Sequence, residues 1–275
     1  MIYFEKIPTI QLSSCIEKFW YCKTDDLTNT TLTIPLLNHE LVFNFSKKYS
    51  ISEYSAHSTL IENPIAWISG IQTRPTVTKC VGKHEMVGVL FKPTGLKEFT
   101  KYHSFDFKNH FIDATLIFGK SFEDLLDQIQ NTNCATTKIS FIEKYLLKKR
   151  NLERLPKYLN ASLDLFSLPS EKRISIKEIC NQISISNKSL IKTYQKHIGV
   201  TPIKYLQLLS INKALNHIAR DPKQSLAKLT YDLNFYDQAH FINSFKTITR
   251  LTPSEYANKV SNNLIDSHYP NFIGL

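Results

Sequence analysis

Lys188 and Lys192 stand four residues apart in a stretch that also carries Asn187, Ile191 and Gln195. About fifty residues further on, Gln238, His240, Ile242, Asn243 and Lys246 form a second group of similar make-up. If each group lies on a helix, most of its members share one face. A lysine ammonium can donate to guanine O6 and N7, a carboxamide can pair bidentately with adenine, and an isoleucine can meet a thymine methyl. Lysine can equally neutralise a backbone phosphate. For Lys188 and Lys192 the two roles are about evenly supported, whereas Asn243 and Gln238 suit bases and Lys246 suits phosphate. This is the chemistry of reading and gripping duplex DNA, not of making or breaking bonds. No Ser/His/Asp grouping, phosphate-binding loop or dinucleotide fingerprint accompanies it.

The elements that must hold these side chains recur as one unit written twice. The first copy runs Ser175-Ile176-Lys177-Glu178-Ile179, then Ile183, Ile185, Leu190 and Tyr194, and closes on Thr201-Pro202-Ile203-Lys204-Tyr205. The second runs Ser225-Leu226-Ala227-Lys228-Leu229, then Leu233, Phe235, Phe241 and Phe245, and closes on Thr252-Pro253-Ser254-Glu255-Tyr256. The offset is 50 residues at the start and 51 from the Leu190/Phe241 pair on, which places one inserted residue near Ala239.

Each copy reads as helix, short turn, helix. Ser175 with Glu178 three residues later is a capping-box signal, and Ser186 or Asn187 can cap the second helix. The second helices are expected over Asn187–His197 and Asp237–Thr249, with Leu190, Tyr194 and Ile198 inward in the first. Gly199, alone between positions 120 and 273, stands where a helix needs a left-handed closing residue. A linking helix is expected from Pro202 to about Ala219, with Leu206, Leu209, Leu215 and Ile218 as its apolar stripe. At 1.5 Å per residue it is roughly 27 Å long, enough to hold two second helices near successive major-groove faces. Residues 171–260 hold 14 Lys+Arg against 6 Asp+Glu, a net of +8 in a chain of +10. That concentration of positive charge is a phosphate-binding footprint.

With these motifs in place, residues 171–257 resemble the DNA-binding domain of AraC/XylS-family bacterial transcription regulators. The resemblance is carried by Ala227–Phe241, Phe245-Lys246 and Leu251–Tyr256, against the family pattern I-A-x-x-x-G-F-x-D-x-x-x-F-x-x-x-F-K followed by G-x-T-P-x-x-Y. Asn234 and Arg250 replace two glycines of that pattern. Asparagine tolerates a positive φ, while arginine there costs about 1 kcal/mol, so the helix is expected to end differently at Arg250. The front part resembles, through Phe19-Trp20, Pro35–Phe45, Gly70–Pro75 and Val87–Pro93, the N-terminal domain of many AraC-type regulators. The resemblance implies a sequence-specific regulator, an activator that meets double-stranded promoter DNA and RNA polymerase, with a front domain that senses a small-molecule effector or forms a homodimer.

The rest of the chain supports an α+β fold. Short aromatic and β-branched runs at Ile16–Cys22, Thr31–Pro35, Leu41–Phe45, Ala66–Ile71, Thr76–Val81 and Met86–Phe91 predict an antiparallel barrel or sandwich. Turns are expected at Asn38-His39, Ser46-Lys47-Lys48 and Val81-Gly82-Lys83. From Gly95 the pattern turns helical, through Leu116–Phe118, Phe122–Ile129 and Ile139–Leu146. Tyr158–Phe166 is expected to pack on the DNA-binding domain despite a break that follows it at Ser167–Ser170. The division is therefore 1–112 β-rich and sensing, 113–155 helical and suited to dimerisation, 156–260 DNA-binding, and 261–275 a tail. Trp20, Phe43, Phe45, Trp67 and Phe91 could line an effector pocket with Arg74 holding an anionic group, although aromatics at alternating strand positions are more often core. His39-Glu40 and His84-Glu85 leave a metal-dependent enzyme in a cupin-like barrel as the alternative function, weakened because strand neighbours point to opposite faces. No cofactor is expected. Five scattered cysteines with no C-x-x-C pair fit reduced thiols. No apolar run approaches the length of a membrane span, and the first residues lack a signal-peptide core. These features predict a cytoplasmic, soluble protein with no membrane partner.

Overall fold

Alternating apolar residues in the front half build strands, and apolar residues three and four apart build the helices behind them. The computed structural model describes residues 2–46, 48–54, 58–151, 155–167, 175–265 and 270–275. Lys47 of the expected turn, residues 152–154 near the linker boundary, the Leu168–Ser170 break, Glu171–Ile174 and residues 266–269 of the tail lie outside the described residues.

The strands are β1 (Ile2–Lys6), β2 (Ile16–Thr33), β3 (Glu40–Asn44), β4 (Tyr49–Glu53), β5 (Thr59–Glu62), β6 (Ala66–Ser69), β7 (Thr76–Phe91), β8 (Phe111–Asp113) and β9 (Phe272–Gly274). They join in one antiparallel sheet in the order β1-β2-β7-β3-β6-β8, with β4 on β7, β5 on β4 and β9 on β2. The fold is α+β, as expected, but two pairs of predicted strands are fused. β2 and β7 run past the expected turn at Val81-Gly82-Lys83 because they are partners in one long ribbon. Gly82 takes φ +83 and faces Leu27, where β2 gains a residue on β7 between Thr24 and Leu27. A bulge there bends the ribbon without ending it.

One face of the sheet carries Phe19, Tyr21, Leu41, Phe43, Ile68, Val87, Val89 and Phe91. It is covered by α1 (Ala114–Phe118), α2 (Lys120–Gln130) and α3 (Ala135–Lys149), through Phe118, Phe122, Leu125, Ile129, Ile139, Ile142 and Leu146. Asp113 caps α1 by accepting from the Thr115 amide, and Gly119 with φ +69 separates α1 from α2. The opposite face holds a smaller cluster of Val42, Ile51, Trp67 and Met86 with Trp20 and Tyr49 against it.

The helices of the second half are α4 (Lys157–Ser167), α5 (Ile176–Gln182), α6 (Asn187–His197), α7 (Pro202–Arg220), α8 (Leu226–Asp232), α9 (Gln238–Thr249) and α10 (Pro253–Ser261). α4 packs on the first unit as expected, with Ser162 and Tyr194 hydroxyls 2.9 Å apart and Tyr158 and Thr193 hydroxyls also at 2.9 Å. Their shared core includes Leu159, Phe166, Leu190, Tyr194, Leu208, Ile211, Phe241, Phe245 and Tyr256. The stripe on α7 differs from expectation. Leu206 and Leu209 are only half-buried, while Tyr205, Leu208, Ile211, Ala214, Leu215 and Ile218 are buried. A helix packed on both units and on the front domain needs a wider apolar arc than one stripe.

The same core takes in Leu32, Ile34, Ile71 and Val77 from the sheet and Ile273 from β9. The expected tail, residues 261–275, thus contributes the strand Phe272–Gly274 to the sheet.

Candidate nucleic-acid interface

The two units are built alike down to their caps. Ser175 accepts from the Glu178 amide at 3.2 Å while the Glu178 carboxylate accepts from the Ser175 amide at 2.7 Å. That return bond holds the Glu178 carboxyl below its ordinary pKa. Thr252 and Glu255 make the same box at the start of α10. Ser225 caps α8, Ser186 caps α6, Thr201 caps α7 and Asp237 caps α9. Asp237 Oδ1 accepts from the His240 amide at 2.7 Å. Every first and second helix in both units is therefore fixed at its N-terminus by a side chain.

Comparing caps moves the inserted residue. Ile185 and Phe235 are 50 apart, whereas the caps Ser186 and Asp237 are 51 apart. The extra residue is Tyr236 in the turn, not one near Ala239, and its side chain is 93% exposed. Ser184 and Asn234 take φ +55 at matching turn positions. Arg250 closes α9 in the left-handed region at φ +65, the conformation expected of the glycine it replaces. The helix therefore ends as in the family pattern, because Thr249 Oγ1, 2.9 Å from the Leu251 carbonyl, holds the chain there.

Along α6, Asn187, Lys188 and Lys192 are exposed, and Ile191 and Gln195 are half-buried. Leu190, Tyr194 and Ile198 are fully buried. Along α9, Gln238, His240, Asn243 and Lys246 are exposed and Ile242 is half-buried, with Phe241 and Phe245 fully buried between them. The His240 ring also packs edge-on against Phe235, centroids 5.4 Å apart. Both groups singled out in the sequence thus lie on the outer faces of second helices, most of them exposed.

The far end of α6 meets the front domain, a contact that sequence reasoning missed. His39 Nε2 lies 2.9 Å from the Ile198 carbonyl oxygen. Gly199 has φ +100, and a Cβ there would come within 2.7 Å of the Ser104 carbonyl oxygen and 3.5 Å of the His39 ring. The glycine both ends the helix and lets two backbones approach. Its isolation in the sequence signalled the first role; nothing local signals the second. Burial holds the His39 ring down to about 4.

The residues proposed for an effector pocket divide between the two faces of the sheet. Phe43 and Phe91 are fully buried in the helix-covered core, and Phe45 packs against that core, 3.5 Å beneath the Lys138 ammonium. Trp20 and Trp67 belong to the opposite face, and Gly88 leaves the room that the Trp20 indole fills. Arg74 is ion-paired with Glu53. On the tryptophan face, Trp20 Nε1 donates to Glu40 at 2.6 Å, and burial raises the Glu40 carboxyl to about 7 against that bond. The residues of the metal alternative are also apart. His39 faces the domain junction, Glu40 faces Trp20, His84 Nδ1 lies 3.1 Å from Ser46 Oγ and from Cys80 Sγ, and Glu85 pairs with Lys138 at 3.1 Å. Among the described residues no three His, Cys, Asp or Glu side chains gather as a metal site. Among them, too, no helix is long and apolar enough to cross a membrane.

Two capped helix-turn-helix units joined by a 19-residue helix define a protein of the double helix-turn-helix class. Residues 179–259 match the family described as a helix-turn-helix domain, and residues 5–113 match a domain of unknown function, DUF6597. Residues 179–259 thus form an AraC-type helix-turn-helix domain, with a DUF6597 domain ahead of it. The HTH-type transcriptional activator RhaS of Escherichia coli is 27% identical over 126 residues, 44% of this chain and 45% of that protein. An uncharacterised HTH-type transcriptional regulator of Haemophilus influenzae is 26% identical over 105 residues, 38% of this chain and 35% of its own. The chain spans less than half the length of these curated relatives. The solved structure of ToxT from Vibrio cholerae is similar over 87% of this chain and 98% of that one, with a TM-score of 0.50 at 10% identity, a likeness of fold.

Proposed function

We propose that the protein is a sequence-specific DNA-binding transcription regulator working in the cytoplasm. The observation that carries this is the pair of N-capped second helices, α6 and α9, whose uncovered faces hold Lys188 and Lys192, and Gln238, Asn243 and Lys246. Each helix enters one major-groove segment, with α7, roughly 28 Å long at 1.5 Å per residue, setting their separation. Asn187, Ile191, Gln195, His240 and Ile242 complete the two contact faces. The transcriptional activator among the relatives supports activation, through contact with RNA polymerase. Residues 156–260 are the DNA-binding unit, 1–112 the sensing unit and 113–155 the segment for homodimer contact. A small-molecule effector meets Trp20 and Trp67 on the sheet face away from α1–α3, with Phe43, Phe45 and Phe91 backing that layer. Arg74, engaged by Glu53, contributes only if that pair opens.

Capture of fragmented genomic DNA on the purified full chain, followed by sequencing, tests the reading. It predicts enrichment of a few promoter segments sharing direct or inverted repeats. Uniform recovery of all fragments would remove sequence-specific regulation. Light scattering, with and without cell extract, tests the dimer; a monomer under both conditions would remove it.

A further inference from the structure

The first unit meets the front domain directly, at Ile198 and Gly199. The second unit reaches it by another route, through residues 264–265 and 270–275. β9 pairs antiparallel with the end of β2, Thr31 opposite Gly274, Leu32 opposite Ile273 and Thr33 opposite Phe272. The Ile34 amide donates to the Asn271 carbonyl at 2.7 Å and the Leu275 amide to the Thr30 carbonyl at 2.9 Å. On its other side the strand is held by the second unit. The Gly274 amide donates to the Leu264 carbonyl at 2.9 Å, Ile265 bridges Ile273, and the Tyr256 hydroxyl donates to the Pro270 carbonyl at 2.7 Å.

Asn271, only 6% exposed, stands where the three parts meet. Its Nδ2 lies 2.9 Å from Asn212 Oδ1 on α7 and 3.4 Å from both the Ile34 and Pro35 carbonyls. Asn212 Nδ2 in turn donates to the Pro35 carbonyl at 3.0 Å. Ile273 is fully buried in the core that holds Leu32 and Ile34 of the sheet together with Tyr256 and Phe245 of the second unit. Tyr256 stacks edge-on against Phe245 of α9, ring centroids 5.8 Å apart. A continuous set of contacts thus runs from β2 through β9 and Tyr256 to the helix proposed to read DNA.

We propose that residues 270–275 are a strand latch that fixes the second helix-turn-helix unit on the front sheet, so that a change at Thr30–Pro35 reaches α9 through them. Strand addition suits this role. Its affinity comes from main-chain bonds, and one buried apolar anchor, Ile273, sets the register. A latch made of one short strand can open without unfolding either partner, because the sheet keeps the core it forms with α1–α3 and the helix-turn-helix units keep the rest of theirs when Ile273 leaves. The proposal concerns coupling between two bodies and does not depend on which DNA sequence is read.

Amide hydrogen exchange on the full chain tests it against two variants, one shortened to end at Ile265 and one carrying Asn271→Ala. In the parent chain the Ile34 and Leu275 amides are expected to exchange as slowly as the core of α9. Asn271→Ala should speed both by at least tenfold while the amides of β3 and β7 keep their rates. The shortened chain should unfold in two calorimetric steps where the parent shows one, and the synthetic peptide PNFIGL at millimolar concentration should restore the single step. One unchanged step in the shortened chain, or exchange at Ile34 unaltered by Asn271→Ala, would overturn the latch. If the shortened chain does not fold, the Asn271→Ala result decides alone. Slowing of exchange throughout both domains by the peptide, rather than at Thr30–Pro35 and α8–α10, would also count against it.

Discussion

His39 gives the most direct handle on the junction between the front domain and α6. A carbonyl oxygen only accepts, so the neutral ring carries its proton on Nε2, facing the Ile198 oxygen at 2.9 Å. Nδ1 is buried without a hydrogen-bond partner among the described residues. Protonation would add a charge and a second N–H with nothing to receive it. Burial accordingly holds the folded pKa at about 4, below the ordinary 6.5. With the folded value depressed, the unfolded chain takes up the proton first, and stability is lost as pH falls from 6.5 toward 4. Between pH 7 and pH 5 the loss from this one ring is about 2 kcal/mol. Glu40, next along the strand, acts in the opposite sense. Its carboxyl is raised by burial to about 7 from 4.5, so its penalty shrinks over the same interval. The two effects are of similar size, and total stability alone would hide both. His39→Gln keeps an N–H for the Ile198 carbonyl and removes the titration. Urea unfolding of both proteins at the two pH values should show the parent losing about 2 kcal/mol relative to the variant on going to pH 5. Curves that stay parallel across that range would refute the reasoning.

Three further outcomes are expected. Gly199→Ala should cost about 2 kcal/mol, because its φ of +100 and the 2.7 Å approach to Ser104 both penalise a Cβ; calorimetry checks it, and an unchanged melting temperature would dismiss the close contact. Arg250→Gly should instead stabilise by up to about 1 kcal/mol, since φ +65 is relieved, and a loss of stability in the same calorimetric assay would mean the arginine makes a compensating contact. Asn243→Ala should cost about 1–3 kcal/mol on a captured promoter segment and leave nonspecific binding alone, whereas Lys246→Ala should weaken both and reduce the salt slope by about one unit. Uniform weakening by Asn243→Ala would reverse the two roles.

The helical half was legible because its signals are local. A serine cap, a glutamate three residues later and a closing Thr-Pro describe one turn of backbone each, and two copies checked one another. The α6 bounds, Asn187–His197, agree with expectation to the residue. What failed there was non-local. The stripe on α7 depends on what packs against both its sides, and the place of the extra residue, Tyr236, depends on a turn that two copies build differently. The front sheet was legible as strands and not as pairings. Gly82 looks like a turn in sequence, yet it stays in the ribbon opposite a bulge of its partner β2. Phe43, Phe91, Trp20 and Trp67 all read as aromatic strand residues, and only the register sorts them onto two faces. The strand Phe272–Gly274 was invisible for the same reason, since a three-residue stretch becomes a strand only where an edge at Thr31–Thr33 receives it.

The proposed function requires above all that α6 and α9 grip duplex DNA. Binding of the full chain to a promoter segment recovered from the genomic capture, measured across 50 to 300 mM salt, is the decisive measurement. About six phosphate contacts from the two units predict log K falling against log salt with a slope near −5. A slope near zero, or no binding tighter than micromolar at the lowest salt, would contradict it.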